Sequence, residues 1–212
     1  MEHMVHLMKT VLLVDDGAEL VSLYCRMLSM LGYMPLAANG SRECLERIDE
    51  KVPDAILLDV MMVPVDGWET LRQIRKKKEC LLTPVLMLTA RSPQPREILQ
   101  CGDLFDGYIM KPVTKSNLER ELDSLWNRCT LIRTNMEKFR NLGIPPEKAR
   151  DYAVSMRTCV SMTHVMNALN VMNLPSFLPA EPDTPVIDEI TGIEERIRYH
   201  KKKIREYHAI LG

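Results

Sequence analysis

The sequence predicts an α/β protein: a doubly wound, five-stranded parallel sheet followed by an all-helical C-terminal extension. Three observations predict it. Five short apolar runs alternate with stretches of helical periodicity over the first half of the chain. One of them, Ala55-Ile56-Leu57-Leu58, is apolar at every position, as a strand covered on both faces must be. Beyond about residue 114 the helical period continues and no further strand pattern appears.

The elements follow in order. Thr10-Val11-Leu12-Leu13-Val14 is a strand ending in Asp15-Asp16. From Ala18 to Leu31, Leu20, Leu23, Met27, Leu28 and Leu31 fall near helical spacing, and Gly32 stops that helix. Tyr33 to Ala38 is the second strand, and Ser41 to about Asp49 the second helix. Asp54 to Asp59 is the third strand. The helix after it, from Gly67 to about Lys78, ends in cations that suit the negative pole of a helix. Pro84 to Thr89 is the fourth strand, Pro95 to Cys101 a short helix, and Gly107 to Met110 the fifth strand, closed by Lys111-Pro112. A long helix starts near Thr114.

Composition narrows the classes. The chain has 212 residues, 46% hydrophobic and 27% charged, an ordinary globular balance. A net charge of -1 argues against bulk attraction to polyanions, so nucleic acid is not an expected partner. Six cysteines stand at 25, 44, 80, 101, 129 and 159 without a close pair, which excludes the common zinc and redox spacings and suits reduced thiols. No signal-peptide core or membrane-length apolar stretch is present in the sequence, so a cytoplasmic protein without membrane attachment is expected.

Right-handed crossovers place every strand's carboxyl end on one edge of a parallel sheet, where sites collect in such folds. Asp15, Asp16, Asp59, Thr89 and Lys111 all lie at strand ends and should converge there. Clustered carboxylates repel one another and call for a cation. Oxygen-only ligation, with no Cys or His, suggests a hard metal, most simply Mg²⁺. Lys111 offers a point charge to a phosphate oxygen and Thr89 a hydroxyl donor. Such a set suits phosphoryl transfer, and Asp59 can itself be the nucleophile, forming an aspartyl phosphate.

These residues carry a resemblance. Asp15-Asp16, Asp59, Asp66-Gly67, Thr89-Ala90 and Tyr108-Ile109-Met110-Lys111-Pro112 occur in the order and with close to the spacing of the receiver domain of two-component response regulators, the family of the bacterial chemotaxis response regulator. The resemblance covers residues 9 to about 128. It implies a flavodoxin-like sheet of order 2-1-3-4-5. It implies that Asp59 accepts a phosphoryl group from a sensor histidine kinase, in a signalling protein rather than an enzyme. It implies that Asp16, Asp59 and the backbone carbonyl of Met61 ligate Mg²⁺, with Asp15 acting mainly through a metal-bound water. Lys111 would pair with a phosphoryl oxygen. Thr89 would donate its hydroxyl to the phosphoryl group, and Tyr108 would turn from outward to inward as Thr89 moves. The sequence departs from the family pattern at Gly17, where a third acidic residue is common, and at Val63-Pro64, where the loop proline falls one place late.

The domain expectation is a receiver over 1–128 and a helical output or dimerisation region over 129–212, with a proline-rich linker around 174–188. Leu118, Leu122, Leu125, Cys129, Ile132, Met136 and Phe139 form a seam at alternating four- and three-residue steps, fit for packing inside the chain or for a coiled coil with a second copy. Pro145-Pro146 opens a helix to about Met172, and a last helix runs from about Asp188 to Leu211. The last helix carries a second seam of Ile190, Ile193, Ile197, His200, Ile204, Tyr207 and Leu211. A three-helix bundle or a dimerising hairpin follows from these patterns, with a downstream protein or a second copy as partner. Two other readings stay open. The stretch around His164 resembles the phosphoacceptor helix of sensor kinases, except that Val165 stands where an acidic residue is usual, so a phosphorelay role is one alternative. The basic run Arg196, Arg198, Lys201, Lys202, Lys203 and Arg205 is a solvated helix face or, alternatively, a nucleic-acid contact.

Overall fold

The structure, a computed structural model, describes residues 9–91, 94–171 and 184–212. Among them are five strands: β1 (Thr10–Val14), β2 (Met34–Ala38), β3 (Ala55–Asp59), β4 (Val85–Thr89) and β5 (Gly107–Met110). Seven helices accompany them: α1 (Ala18–Met30), α2 (Ser41–Glu50), α3 (Gly67–Lys76), α4 (Pro95–Cys101), α5 (Lys115–Asn141), α6 (Pro146–Val171) and α7 (Thr184–Leu211). The strands form one sheet in the order β2-β1-β3-β4-β5. The paired strands whose register is defined run parallel, with Val11 opposite Ala55 and Asp59 opposite Leu88. This is the doubly wound sheet with an all-helical extension that the apolar runs predict.

The three central strands β1, β3 and β4 are buried along their whole length, which is why they read as unbroken apolar runs rather than alternating ones. A side-chain clasp fixes the start of the β1–β3 register. Asp54 Oδ2 accepts from the Thr10 amide at 2.7 Å and from the Thr10 hydroxyl at 2.9 Å. Register here decides function, because a one-residue slip of β3 would turn Asp59 away from the strand-end edge.

The chain falls into two compact units that exchange it three times. One holds the residues up to Arg91 together with Tyr108–Asp123; the other holds Ser92–Gly107 together with Ser124–Gly212. The last exchange falls between Asp123 and Ser124. Helix α4, between β4 and β5 in the chain, belongs to the helical unit, which periodicity alone did not indicate.

The helical unit has its own core. Phe139 on α5, Tyr152 on α6 and Tyr207 on α7 meet edge to face, with ring centroids 5.3, 5.6 and 5.7 Å apart. Ile132, Met136, Met156, Ile204 and Leu211 pack around them. Both seams are thus covered inside the chain. Leu118, Leu122, Leu125, Phe139, Ile193, Ile197 and Tyr207 are buried, and Cys129, Ile132, Met136, His200 and Ile204 are half-buried. A polar chain runs beside the aromatic core, from Asn135 Nδ2 to the Tyr152 hydroxyl (2.6 Å) and on to His208 Nε2 (3.3 Å).

Two boundaries differ from expectation. Helix α3 ends at Lys76, and a 3₁₀ turn over Lys78–Cys80 follows, secured by Arg75 Nη1 donating to the carbonyls of Cys80 and Thr83, 2.7 Å each. Helix α7 begins at Thr184, so the last residues of the expected 174–188 linker are helical. Pro185 sits in the first turn, where proline interrupts no helical hydrogen bond. The rest of that linker, up to residue 183, lies outside the described residues. None of the six cysteines is in a disulfide, and among the described residues no helix is long and apolar enough to cross a membrane.

Candidate functional site

The strand-end residues converge as the topology requires. Asp15 follows β1 and Asp59 closes β3; both are buried, at 1% and 3% exposure, while Asp16 faces solvent. Carboxylate oxygens of Asp15, Asp16 and Asp59 lie within 4.8 Å of one another. Lys111, following β5, reaches Asp15 Oδ2 at 2.7 Å and Asp59 Oδ1 at 3.0 Å. Its backbone amide donates to the Thr89 carbonyl at 2.8 Å, which ties the lysine to the end of β4.

Local sequence explains each placement. Gly17 donates its amide to Asp15 Oδ1 at 2.8 Å. A Cβ at Gly17 would lie 3.1 Å from that same oxygen, so the missing third acidic residue leaves room for Asp15 to settle. Asp16 Oδ2 accepts from the Val63 amide at 3.0 Å and so fastens the Met61–Pro64 loop, despite the late proline. Asp66 caps α3 by accepting from the Glu69 amide at 2.8 Å. Gly67 then donates to the Val60 carbonyl at 2.9 Å. A Cβ at Gly67 would fall 2.1 Å from the Asp59 carbonyl oxygen, so only glycine lets α3 approach the end of β3. The Asp66-Gly67 pair was visible in the sequence; this reason for it was not.

The electrostatics are those of a charged site held in tension. Burial pushes the Asp59 carboxyl up, against the opposing effect of Lys111, with the Asp15 charge adding to the rise and the Met61 amide opposing it. Burial disfavours charge on Lys111 too, but its bonds to Asp15 and Asp59 outweigh that and raise its pKa. Asp59 Oδ1 is buried with no directed hydrogen bond, although Lys111 stands at ion-pair distance. A buried carboxylate oxygen that shares one lysine with a second carboxylate, beside a third, is the arrangement a hard cation would complete.

The two expected switch residues are engaged elsewhere in this state. Thr89 Oγ1 donates to the Arg91 carbonyl at 2.9 Å. Tyr108 is buried, not turned outward, and its hydroxyl lies 3.2 Å from the same carbonyl and 2.9 Å from the sulfur of Met110. The Arg91 carbonyl is a meeting point that no sequence motif signals.

The family profile of the response regulator receiver domain matches residues 11–123. The chain belongs to the response regulator receiver family. It is 36% identical over 121 residues to the transcriptional regulatory protein CpxR of Klebsiella pneumoniae, an alignment covering 57% of this chain and 50% of that one. It is 31% identical over 129 residues to the alkaline phosphatase synthesis transcriptional regulatory protein PhoP of Bacillus subtilis, covering 61% and 53%. The chain thus spans about half the length of the curated relatives it matches. Among solved structures, the chemotaxis protein CheY4 of Vibrio cholerae is 28% identical with a TM-score of 0.53, covering 55% of this chain and 98% of that one. The matched residues include the whole strand-end cluster, from Asp15 to Lys111.

Outside the receiver, His164 lies half-buried on α6, between buried Met162 and Val165. The basic run divides. Arg196 donates to the Leu99 carbonyl and Lys203 to Asp151, whereas Arg198, Lys201, Lys202 and Arg205 are exposed.

Proposed function

We propose that Asp59 is the phosphoacceptor of this response regulator, loaded by a sensor histidine kinase, and that the helical unit is its output. The observation that carries the reading is the buried Asp59 carboxylate at the end of β3, faced by Lys111 and by the Asp15–Asp16 pair. An oxygen of Asp59 attacks the phosphorus of a phosphohistidine, the P–N bond breaks, and its electron pair returns to the imidazole, which takes up a proton. Lys111 pairs with an oxygen of the arriving phosphoryl group, and the Thr89 hydroxyl donates to another. Asp16, Asp59 and the Met61 carbonyl would hold Mg²⁺, with Asp15 acting through its water shell. When bound, the ion would offset the negative charge of the carboxylates and the phosphoryl oxygens.

Because both helical seams are covered within the chain, the reading favours a downstream protein over pairing of two copies as the output. The test is incubation with acetyl phosphate and Mg²⁺ followed by intact mass. Wild type should gain one phosphoryl group and Asp59→Asn none, and chelation of the metal should suppress the gain. Equal labelling of the two proteins refutes the assignment.

A further inference from the structure

Six of the ten residues from Arg196 to Arg205 are Lys or Arg, and none is Asp or Glu. The whole-chain charge of -1 conceals this concentration. Helix α7 divides the six in two. Arg196 and Lys203 are half-buried and tied down, to the Leu99 carbonyl and to Asp151. Arg198, Lys201, Lys202 and Arg205 are exposed, and among the described residues none of the four is in a salt bridge. Their sequence spacing puts them on one face of the helix, along about 10 Å of its axis. Glu195 and Glu206 bracket the stretch without entering it.

What this face can hold is limited by what it lacks. Ile193, Ile197 and Tyr207, on the apolar side of α7, are buried. A helix that lies on a lipid surface needs that side free to enter the acyl boundary. Protein interfaces are centred on desolvated aromatic or aliphatic anchors, and lysine is depleted in them. Between Arg196 and Arg205 the large exposed apolar side chain is Tyr199, and the Lys203 ammonium stands 5.4 Å from its ring centroid. One aromatic ring with a cation already over it is a poor platform for the stacked bases of a single strand. A duplex presents a rigid line of phosphates, about one charge per 1.7 Å of its axis, and cations fixed along a rigid helix complement that line.

We propose that the outward face of α7, from Arg198 to Arg205, binds the phosphate backbone of duplex DNA without regard to base sequence. Phosphate contacts position a protein on a duplex and carry no sequence information. The proposal does not depend on phosphorylation of Asp59, so neither reading falls with the other.

The experiment titrates the full chain into two labelled DNA duplexes of unrelated sequence and follows fluorescence anisotropy over a range of salt. Wild type should bind both alike, with Kd between roughly 10⁻⁴ and 10⁻⁶ M at physiological salt. Four phosphate contacts predict that log K falls against log salt with a slope of about -3.6. Combined Arg198→Gln, Lys201→Gln, Lys202→Gln and Arg205→Gln should flatten that slope and weaken binding more than tenfold. Combined Arg133→Gln, Lys138→Gln, Arg140→Gln and Lys148→Gln removes as many exposed cations from α5 and α6 and should change neither. No binding by wild type at low salt, or equal loss in the two variants, overturns the proposal. Should the α7 variant lose the wild-type circular dichroism, the four single substitutions decide: each should reduce the steepness of the slope by about 0.9, and an unchanged slope overturns it. Poly-glutamate and phosphatidylserine vesicles serve as further probes. Binding to either as tight as to the duplex, and equally dependent on the four residues, assigns the face to an acidic protein or a lipid surface and overturns the DNA assignment.

Discussion

Asp59 in the sheet unit and Asp151 in the helical unit are both carboxylates with a lysine beside them, yet their surroundings treat them in opposite ways. Asp151 accepts from Lys203 Nζ and from the Tyr207 hydroxyl, both at 2.5 Å, and these donors outweigh its partial burial and hold its pKa below the usual range. Tyr207 in turn is pushed up to about 12, by burial and by Asp151, so it stays a donor at any physiological pH. Asp59 is more deeply buried, shares its lysine with Asp15, and has its pKa raised. A carboxylate whose oxygens are all served is part of the scaffold. One left short of donors keeps capacity for a ligand, at the expense of stability.

The comparison can be broken most sharply at the level of chemistry. Asp59→Asn should abolish acetyl phosphate labelling, whereas Asp151→Asn should leave it unchanged, read by intact mass. Next in size is Lys111→Met, which strands two buried carboxylates. It should lower stability by about 3 kcal/mol in urea unfolding at neutral pH, since losing the partner of a buried charge is costly. A loss no larger than that of an exposed pair would mean that the Lys111 pairings carry little of the site's stability. Smaller again, Asp151→Asn should cost about 1 kcal/mol, because its site is partly open to solvent.

The finest distinction is in pH. The raised pKa of Asp59 means that its charge opposes folding once pH climbs above the ordinary aspartate range. Asp59→Asn should therefore melt higher than wild type at neutral pH, and the gain should fade as pH falls toward about 4. Asp151, with its pKa lowered, contributes stability above that range and loses it as pH drops through its own lowered value. The Asp151→Asn deficit should thus also fade in acid, from the opposite side. Two melting curves that move the same way at neutral pH would contradict the contrast.

Much of this was legible in the sequence because the central strands are buried on both faces. The runs ending at Val14, Asp59 and Thr89 have no polar interruption, so strand ends, and with them Asp15, Asp59, Thr89 and Lys111, could be placed to a residue or so. The helical unit was legible as seams but not as an arrangement. Periodicity says that Ile132 and Ile204 need cover, not that Phe139, Tyr152 and Tyr207 provide it. The start of α7 was missed because Thr184-Pro185 reads equally well as a loop and as a helix's first turn. The allegiance of α4 was beyond reach: seven residues carry too little pattern to say which unit they pack against, and the ties at Gly102 and Asp106 come from α5 and α6, far along the chain.

The three exchanges of chain between the units bear on how such a protein can be rearranged in evolution. A domain joined by a single linker can be cut loose and spliced to another partner, and each piece keeps its own packing. Here a cut after Asp123 would strip α4 of the helices it is built into, while the strands on either side of it stay behind. The sheet unit is therefore not an interchangeable cassette. To accept a different output, it would have to rebuild the outer surface of α4 in the same step, so this receiver and this helical unit are expected to be inherited together.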